Sequence, residues 1–213
     1  MKIYGISGLG ADERVFKYLN LKHEIIPLAW IKHDKNESLE HYAKRLAAKI
    51  DTNEDFGILG VSFGGLVAVE ISKILNPKVT ILISSVETKN ELSFLIKGLG
   101  KMNVVKYLPS KIFNPPKKIA HFLFGTDNKE LLNKILDDTD LDFTKWAVNE
   151  LLNWKNTTTL SSIIKISGTN DKLMSPTKAN NTILIEKGEH FMIVDKAKEI
   201  SEVINERILT LFP

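Results

Sequence analysis

The sequence predicts an α/β protein: a mostly parallel sheet of about six strands flanked by helices, with one helical insertion. Three observations carry this reading. Short apolar runs alternate with segments whose apolar residues recur at helical spacing, the pattern of βαβ units around a parallel sheet. The run at residues 56–61 is apolar on both faces, as a central parallel strand must be. Between residues 87 and 159 the alternation stops, and an unstructured loop of that length would be out of place in a compact domain.

Taken in order, residues 2–6 read as the first strand, which Gly8-Leu9-Gly10 breaks, and residues 12–19 as a short helix. Residues 23–28 read as the second strand. Ser38 is then a candidate N-cap for a helix whose Leu39, Tyr42, Ala43, Leu46, Ala47 and Ile50 share one face. The third strand spans 56–61, and the helix after it runs from Gly64 to Leu75, stopped by Asn76-Pro77. Residues 79–84, 163–167 and 182–186 supply three further strands. The last helix carries Ala197, Ile200, Ile204, Ile208 and Leu211 on one face. Two segments, 1–86 and 160–213, thus form the core, and 87–159 reads as several short helices placed over the sheet's carboxyl edge, where open α/β sheets bind ligands.

A chain of 213 residues is long enough for one domain with a sizeable core. Its net charge of +3 is mild, and the lysines are scattered among acids, with Lys117-Lys118 the densest basic spot. This is a solvated face rather than a nucleic-acid footprint. With no cysteine, disulfides, thiolate metal sites and a cysteine nucleophile are excluded, which suits a reducing compartment. No stretch approaches the about 20 apolar residues of a membrane span, nor does the N-terminus carry a signal-like apolar run. The default expectation is a cytoplasmic protein.

The chemistry centres on Gly60-Val61-Ser62-Phe63-Gly64, a G-x-S-x-G sequence that follows the most apolar strand and opens a helix. A sharp strand-to-helix turn holds such a serine in a strained conformation, and glycines two positions to either side remove side chains that would collide with it. The structural alternative is a glycine-bearing turn with a serine cap. Ser62 needs a base, and His190, directly after the final strand, emerges at the same sheet edge. The base in turn needs a carboxylate that orients it and stabilises its imidazolium. Asp171 follows the fifth strand and is the first candidate, while Glu87, after the fourth strand, and Asp127, in the insertion, are rivals. Backbone N–H groups of Phe63 and of Leu9, in the glycine loop after the first strand, are the candidate oxyanion donors. Neither G-x-G-x-x-G nor a P-loop is present, so that loop does not read as a nucleotide site.

Together the segments 7–12, 60–64, 168–171 and 188–190 resemble the α/β-hydrolase superfamily, with its order Ser, Asp, His. The resemblance implies a carboxylic ester hydrolase on a small-molecule acyl substrate, with no metal or organic cofactor. A thioesterase, an acyltransferase, a carbon–carbon bond hydrolase or a ligand-binding protein of the same fold remain open. It also implies that 87–159 is a cap shaping the substrate pocket, for which Phe94, Phe122 and Trp146, with Phe113 and Phe124, are candidate lining residues; the alternative for each is a place in the cap's own core. Three departures stand out: the first strand here corresponds to the superfamily's third, Ser7 replaces a histidine common in the oxyanion loop, and only about ten residues join Asp171 to the last strand.

Overall fold

Six strands form one sheet in the order β2-β1-β3-β4-β5-β6. They are β1 (Lys2–Ile6), β2 (Ile25–Pro27), β3 (Phe56–Val61), β4 (Val79–Ile83), β5 (Ile163–Gly168) and β6 (Thr182–Ile185). The computed structural model describes residues 1–93, 98, 104–176 and 181–212. All five strand pairings among these are parallel, so the sheet is more uniform than expected. β2 is shorter than the sequence suggests; it is an edge strand that ends at Pro27, which has no N–H to continue a ladder. The chain moves outward from β1 to β2, then returns past it to β3. The ends of β1 and β3 therefore flank the point where strand order reverses, the place at which such sheets leave a crevice.

Side chains alternate across the central strands and build a core on each face. Tyr4, Ile6, Ile58 and Leu82 pack with α1 (Leu39–Ala47) and α2 (Phe63–Leu75). Ile3, Leu59, Val61 and Ile81 pack on the other face with α6 (Met192–Asp195) and α7 (Ala197–Leu211). Ala197, Ile200, Ile204 and Ile208 of α7 are buried as their spacing predicts, while Leu211, at the frayed end, is exposed. Ser38 caps α1 by accepting from the His41 N–H at 3.3 Å. The segment 12–19, expected as a helix, is a 3-10 turn over Glu13–Tyr18 whose Asp12 cap accepts from the Arg14 N–H. No helix among the described residues is long and apolar enough to cross a membrane.

Between β4 and β5 the described elements are helical: 3-10 turns at Lys89–Glu91, Val104–Tyr107 and Ser110–Phe113, then α3 (Lys117–Phe124), α4 (Lys129–Asp137) and α5 (Leu141–Asn153). Asn128 and Asp140 cap α4 and α5 through their side-chain oxygens. This stretch does not keep a core to itself. Phe143, Trp146, Ala147 and Trp154 belong to the same apolar cluster as Tyr42 and Phe63. Buried polar groups clasp its two roots together. Glu87 accepts from the Leu160 N–H at 2.6 Å, and Lys165 reaches Glu91 at 2.6 Å and Glu87 at 3.5 Å. Asn156 donates to the Glu87 carbonyl at 2.8 Å, and Trp154 Nε1 donates to Glu70 at 2.9 Å.

Glu37 anchors the start of α1. Its buried carboxylate accepts from Arg45 through Nε and Nη2 at 2.8 Å each, from His41 Nδ1 at 2.6 Å and from the Asp34 N–H at 2.7 Å. Burial alone would push its pKa up, but these donors outweigh burial and bring it from 4.5 to about 2. A lowered folded-state pKa contributes stability above the unfolded value and loses it as pH falls. Denaturant midpoints of the protein should therefore drop between about pH 4.5 and 2, and Glu37→Gln should flatten that part of the profile. At neutral pH the same variant should lose about 1–3 kcal/mol, the cost of leaving charged donors unpartnered.

Candidate active site

The turn from β3 into α2 places Ser62 at φ 52°, ψ −124°, a left-handed conformation that a side chain adopts only when its surroundings enforce it. Here they do. The Ser62 N–H donates to the Ile83 carbonyl at 3.0 Å, and the Ser62 carbonyl accepts from Gly65 N–H at 2.9 Å and from Ser85 Oγ at 2.7 Å. A Cβ at Gly60 would lie 2.5 Å from the Gly64 oxygen, and one at Gly64 would lie 2.1 Å from the Ser7 oxygen. Both glycines thus allow backbones to approach where no side chain fits, and Gly64 brings the turn against the loop after β1. Sequence reasoning missed Ser85 and Gly65, which stand so close that a Cβ on Gly65 would lie 2.1 Å from Ser85 Oγ. The only local signal was a further glycine directly after the motif.

His190 and Asp171 sit on the loops that leave β6 and β5, and these loops are joined by the Asn170 N–H to Gly188 carbonyl bond of 2.9 Å. His190 Nε2 lies 2.9 Å from Ser62 Oγ, and Nδ1 lies 3.0 and 2.9 Å from the two Asp171 oxygens. With Nδ1 protonated, the ring donates to Asp171 and accepts from the serine. Both His190 and Asp171 are buried. Burial alone would raise the Asp171 pKa, but His190 together with the N–H groups of Met174 (2.8 Å) and Leu173 (2.9 Å) lowers it below the ordinary carboxylate value. The carboxylate therefore stays ionised at neutral pH.

The stretch between β4 and β5 holds the histidine loop from the other side. The Phe191 N–H donates to the Phe124 carbonyl at 2.9 Å, and the Phe124 ring meets the His190 ring edge-on at 5.6 Å. Lys172 and Glu189, each next to one member of the Asp171–His190 pair, form an ion pair across the two loops. Gly125, at φ 55°, sits where a Cβ would collide with the Glu189 carboxyl group. Of the rival acids, Glu87 is taken up in the clasp between the two ends of the stretch from β4 to β5, and Asp127 is an exposed residue in the turn before α4.

The loop after β1 passes close to Ser62, since a Cβ on Gly8 would be 3.3 Å from Ser62 Cβ. Ser7 Oγ, in place of a histidine, braces this loop by donating to the Ala11 carbonyl at 2.7 Å, and Trp30 Nε1 donates to the same oxygen at 3.2 Å. Leu9 faces the cavity beside Ser62. Phe63 is the first residue of α2, where backbone N–H groups have no intrahelical partner.

A cavity of about 490 Å³ opens from Ser62 and His190 into the insertion. Phe113 and Phe124 line it, but two of the expected pocket residues do not. Trp146 is turned into the shared core, where its Nε1 donates to the Glu37 carbonyl at 2.9 Å and its ring stacks on His33 at 5.1 Å. Phe122 lies on the outer side of α3, exposed, with the Lys172 ammonium 5.2 Å from its ring. Phe94 lies outside the described residues. The lining comes instead mainly from aliphatic residues such as Leu132, Ile135, Val148 and Leu152, which the sequence reading, drawn to aromatics, passed over. Among the described residues, one group brings potential metal ligands together: Asp34, Glu37 and His41, within 4.8 Å. The Arg45 guanidinium already occupies the Glu37 carboxylate there.

No family model and no curated protein matches the chain. Solved structures do. A lipase-esterase related protein from Clostridium acetobutylicum is 17% identical, with TM-score 0.68 over 96% of this chain and 93% of that one. An esterase from Thermogutta terrifontis is 14% identical, with TM-score 0.69 over 100% and 91%. YbtT, the type II thioesterase of a yersiniabactin NRPS/PKS biosynthetic pathway, is 13% identical, with TM-score 0.67 over 100% and 94%. The chain has the α/β-hydrolase fold.

Because a Cβ at Gly64 meets backbone oxygens of both Ser7 and Ile6, relief requires the loop after β1 to move. Gly64→Ala should lower stability by about 3 kcal/mol, at the upper end of overpacking costs, as read from urea unfolding. An unchanged midpoint would show that the turn and the loop are not held against each other.

Proposed function

We propose that the protein is a serine hydrolase that cleaves a carboxylic ester or thioester through an acyl-enzyme on Ser62. The observation that carries this reading is the continuous chain of contacts from Ser62 Oγ through His190 to Asp171, at the mouth of a cavity, with the serine in an enforced left-handed turn. The likeness in fold to an esterase and to a type II thioesterase supports it.

Each residue then has a defined task. Ser62 Oγ attacks the acyl carbon as His190 Nε2 takes its proton, and the ionised Asp171 stabilises the resulting imidazolium. The carbonyl oxygen becomes an oxyanion and receives hydrogen bonds from the Phe63 and Leu9 N–H groups, assisted by the N-terminal dipole of α2. Collapse of the tetrahedral intermediate breaks the bond to the alcohol or thiol, which leaves with the proton from His190. Water, deprotonated by His190, attacks the acyl carbon in turn and releases a carboxylic acid and free Ser62. No step calls on a metal or an organic cofactor. Transfer to an acceptor other than water, or cleavage of a carbon–carbon bond, would use the same three side chains.

Turnover of p-nitrophenyl esters and acyl thioesters, together with labelling by a fluorophosphonate, tests the reading. Ser62→Ala should abolish both signals, and Asp171→Asn should lower kcat by about ten-thousand-fold, since it favours the wrong imidazole tautomer. Hydrolysis that survives in the Ser62→Ala variant would overturn the assignment. So would a folded protein that is neither labelled nor active on any ester or thioester, an outcome that favours a ligand-binding role.

A further inference from the structure

The cavity beyond Ser62 has an unusual chemical economy. Among its described lining residues there is no lysine, arginine, aspartate or glutamate. Apart from Ser62 and His190, the polar side chains in the lining are Thr139 and Thr144. Both threonines spend their hydroxyl donors within their own turn of chain: Thr139 Oγ1 donates to the Ile135 carbonyl at 2.7 Å, and Thr144 Oγ1 to the Asp140 carbonyl at 2.8 Å. The rest of the wall is Leu, Ile, Val, Phe, Met, Pro, Ala and Gly. Against the described lining residues, a ligand lying in this space meets mainly hydrocarbon and finds no free side-chain hydrogen-bond donor except at the catalytic end.

Resting on the serine-hydrolase reading above, we infer that the substrate's acyl group is an unsubstituted hydrocarbon chain of medium length. An apolar chain gains from burial here along its whole length. An oxo, carboxyl or ammonium substituent would lose its water and gain no donor or counter-charge, and burial without compensation is costly. Size sets the other limit. At about 30 Å³ for a carbon-sized group, the volume share of a liquid water molecule, 490 Å³ holds about sixteen such groups, room for the ester group and a chain of about a dozen carbons. Helices α4 and α5 contribute Leu132, Val148 and Leu152 to the wall.

The test separates pocket from chemistry. Binding is measured first on the Ser62→Ala variant, by displacement of a fluorescent fatty probe with methyl dodecanoate and its 3-oxo and ω-carboxy analogues. The plain ester should bind about ten- to a hundred-fold tighter than either analogue, the range expected for stranding one polar group. On the active protein, kcat/KM should rise from butyryl to an optimum between octanoyl and dodecanoyl esters. Val148→Phe, shown to be folded by its thermal transition, should move that optimum to shorter chains. Equal binding of the substituted analogues, or an optimum at acetyl, overturns the substrate class while leaving the nucleophile intact. Loss of fluorophosphonate labelling in the unmodified protein, with the binding preference retained, overturns the hydrolase reading and leaves a carrier of hydrocarbon chains.

Discussion

The left-handed turn at Ser62 is the constraint on which the rest of the arrangement depends, because it is unfavourable in isolation and must be enforced from several directions at once. The β3–β4 pairing continues into the Ser62 N–H, Ser85 and Gly65 hold the carbonyl, and the loop after β1 presses against Gly64. These contacts come from β4 and the residues directly after it, from the first turn of α2 and from the loop after β1. A turn of this kind therefore forms only when β1, β3 and β4 are in register, so the strain at the serine is supported by the assembled sheet rather than by the motif. It also aims the hydroxyl away from the backbone, towards a histidine delivered by a strand three places along.

That delivery depends on loops that are short and cross-tied. The segments after β5 and β6 share backbone hydrogen bonds, and a Cβ at Gly168 would strike the Gly188 carbonyl at 2.1 Å. Asp171 and His190 are consequently positioned as a pair. The end of α3 completes the enclosure through Phe124 and Gly125. The stretch between β4 and β5 thus supplies both a wall of the cavity and a support for the His190 loop, and changes in the one bear on the other.

The same stretch is fastened to the sheet by buried charges whose partners satisfy them. Glu87, Glu91 and Lys165 meet at its root, and Glu70 is shared by Lys73 and Trp154. Buried ion pairs of this kind contribute little net stability compared with apolar packing, but removing one partner leaves an uncompensated buried charge. Their effect is to define where the stretch leaves and rejoins the sheet. The apolar contacts of Phe143 and Trp146 with Tyr42 and Phe63 then settle how it lies.

Periodicity and punctuation in the sequence were sufficient to locate six strands, the main helices and the carboxyl edge, because which face of an element is buried is written in its own residues. Ser62, His190 and Asp171 were legible for a related reason: each follows a strand of a parallel sheet, and all such positions emerge at one edge. The tertiary structure alone decided what each buried face packs against. Trp146 and Phe122 looked alike as aromatic residues on helices of the insertion, yet one completes the core beside Tyr42 and the other faces solvent over Lys172. Ser85, the Glu70–Trp154 bond and the internally spent hydroxyls of the two cavity threonines were likewise hidden. Local pattern encodes burial, whereas partnership depends on the relative placement of segments far apart in the chain, which comes into being only when the sheet closes and the insertion settles on it.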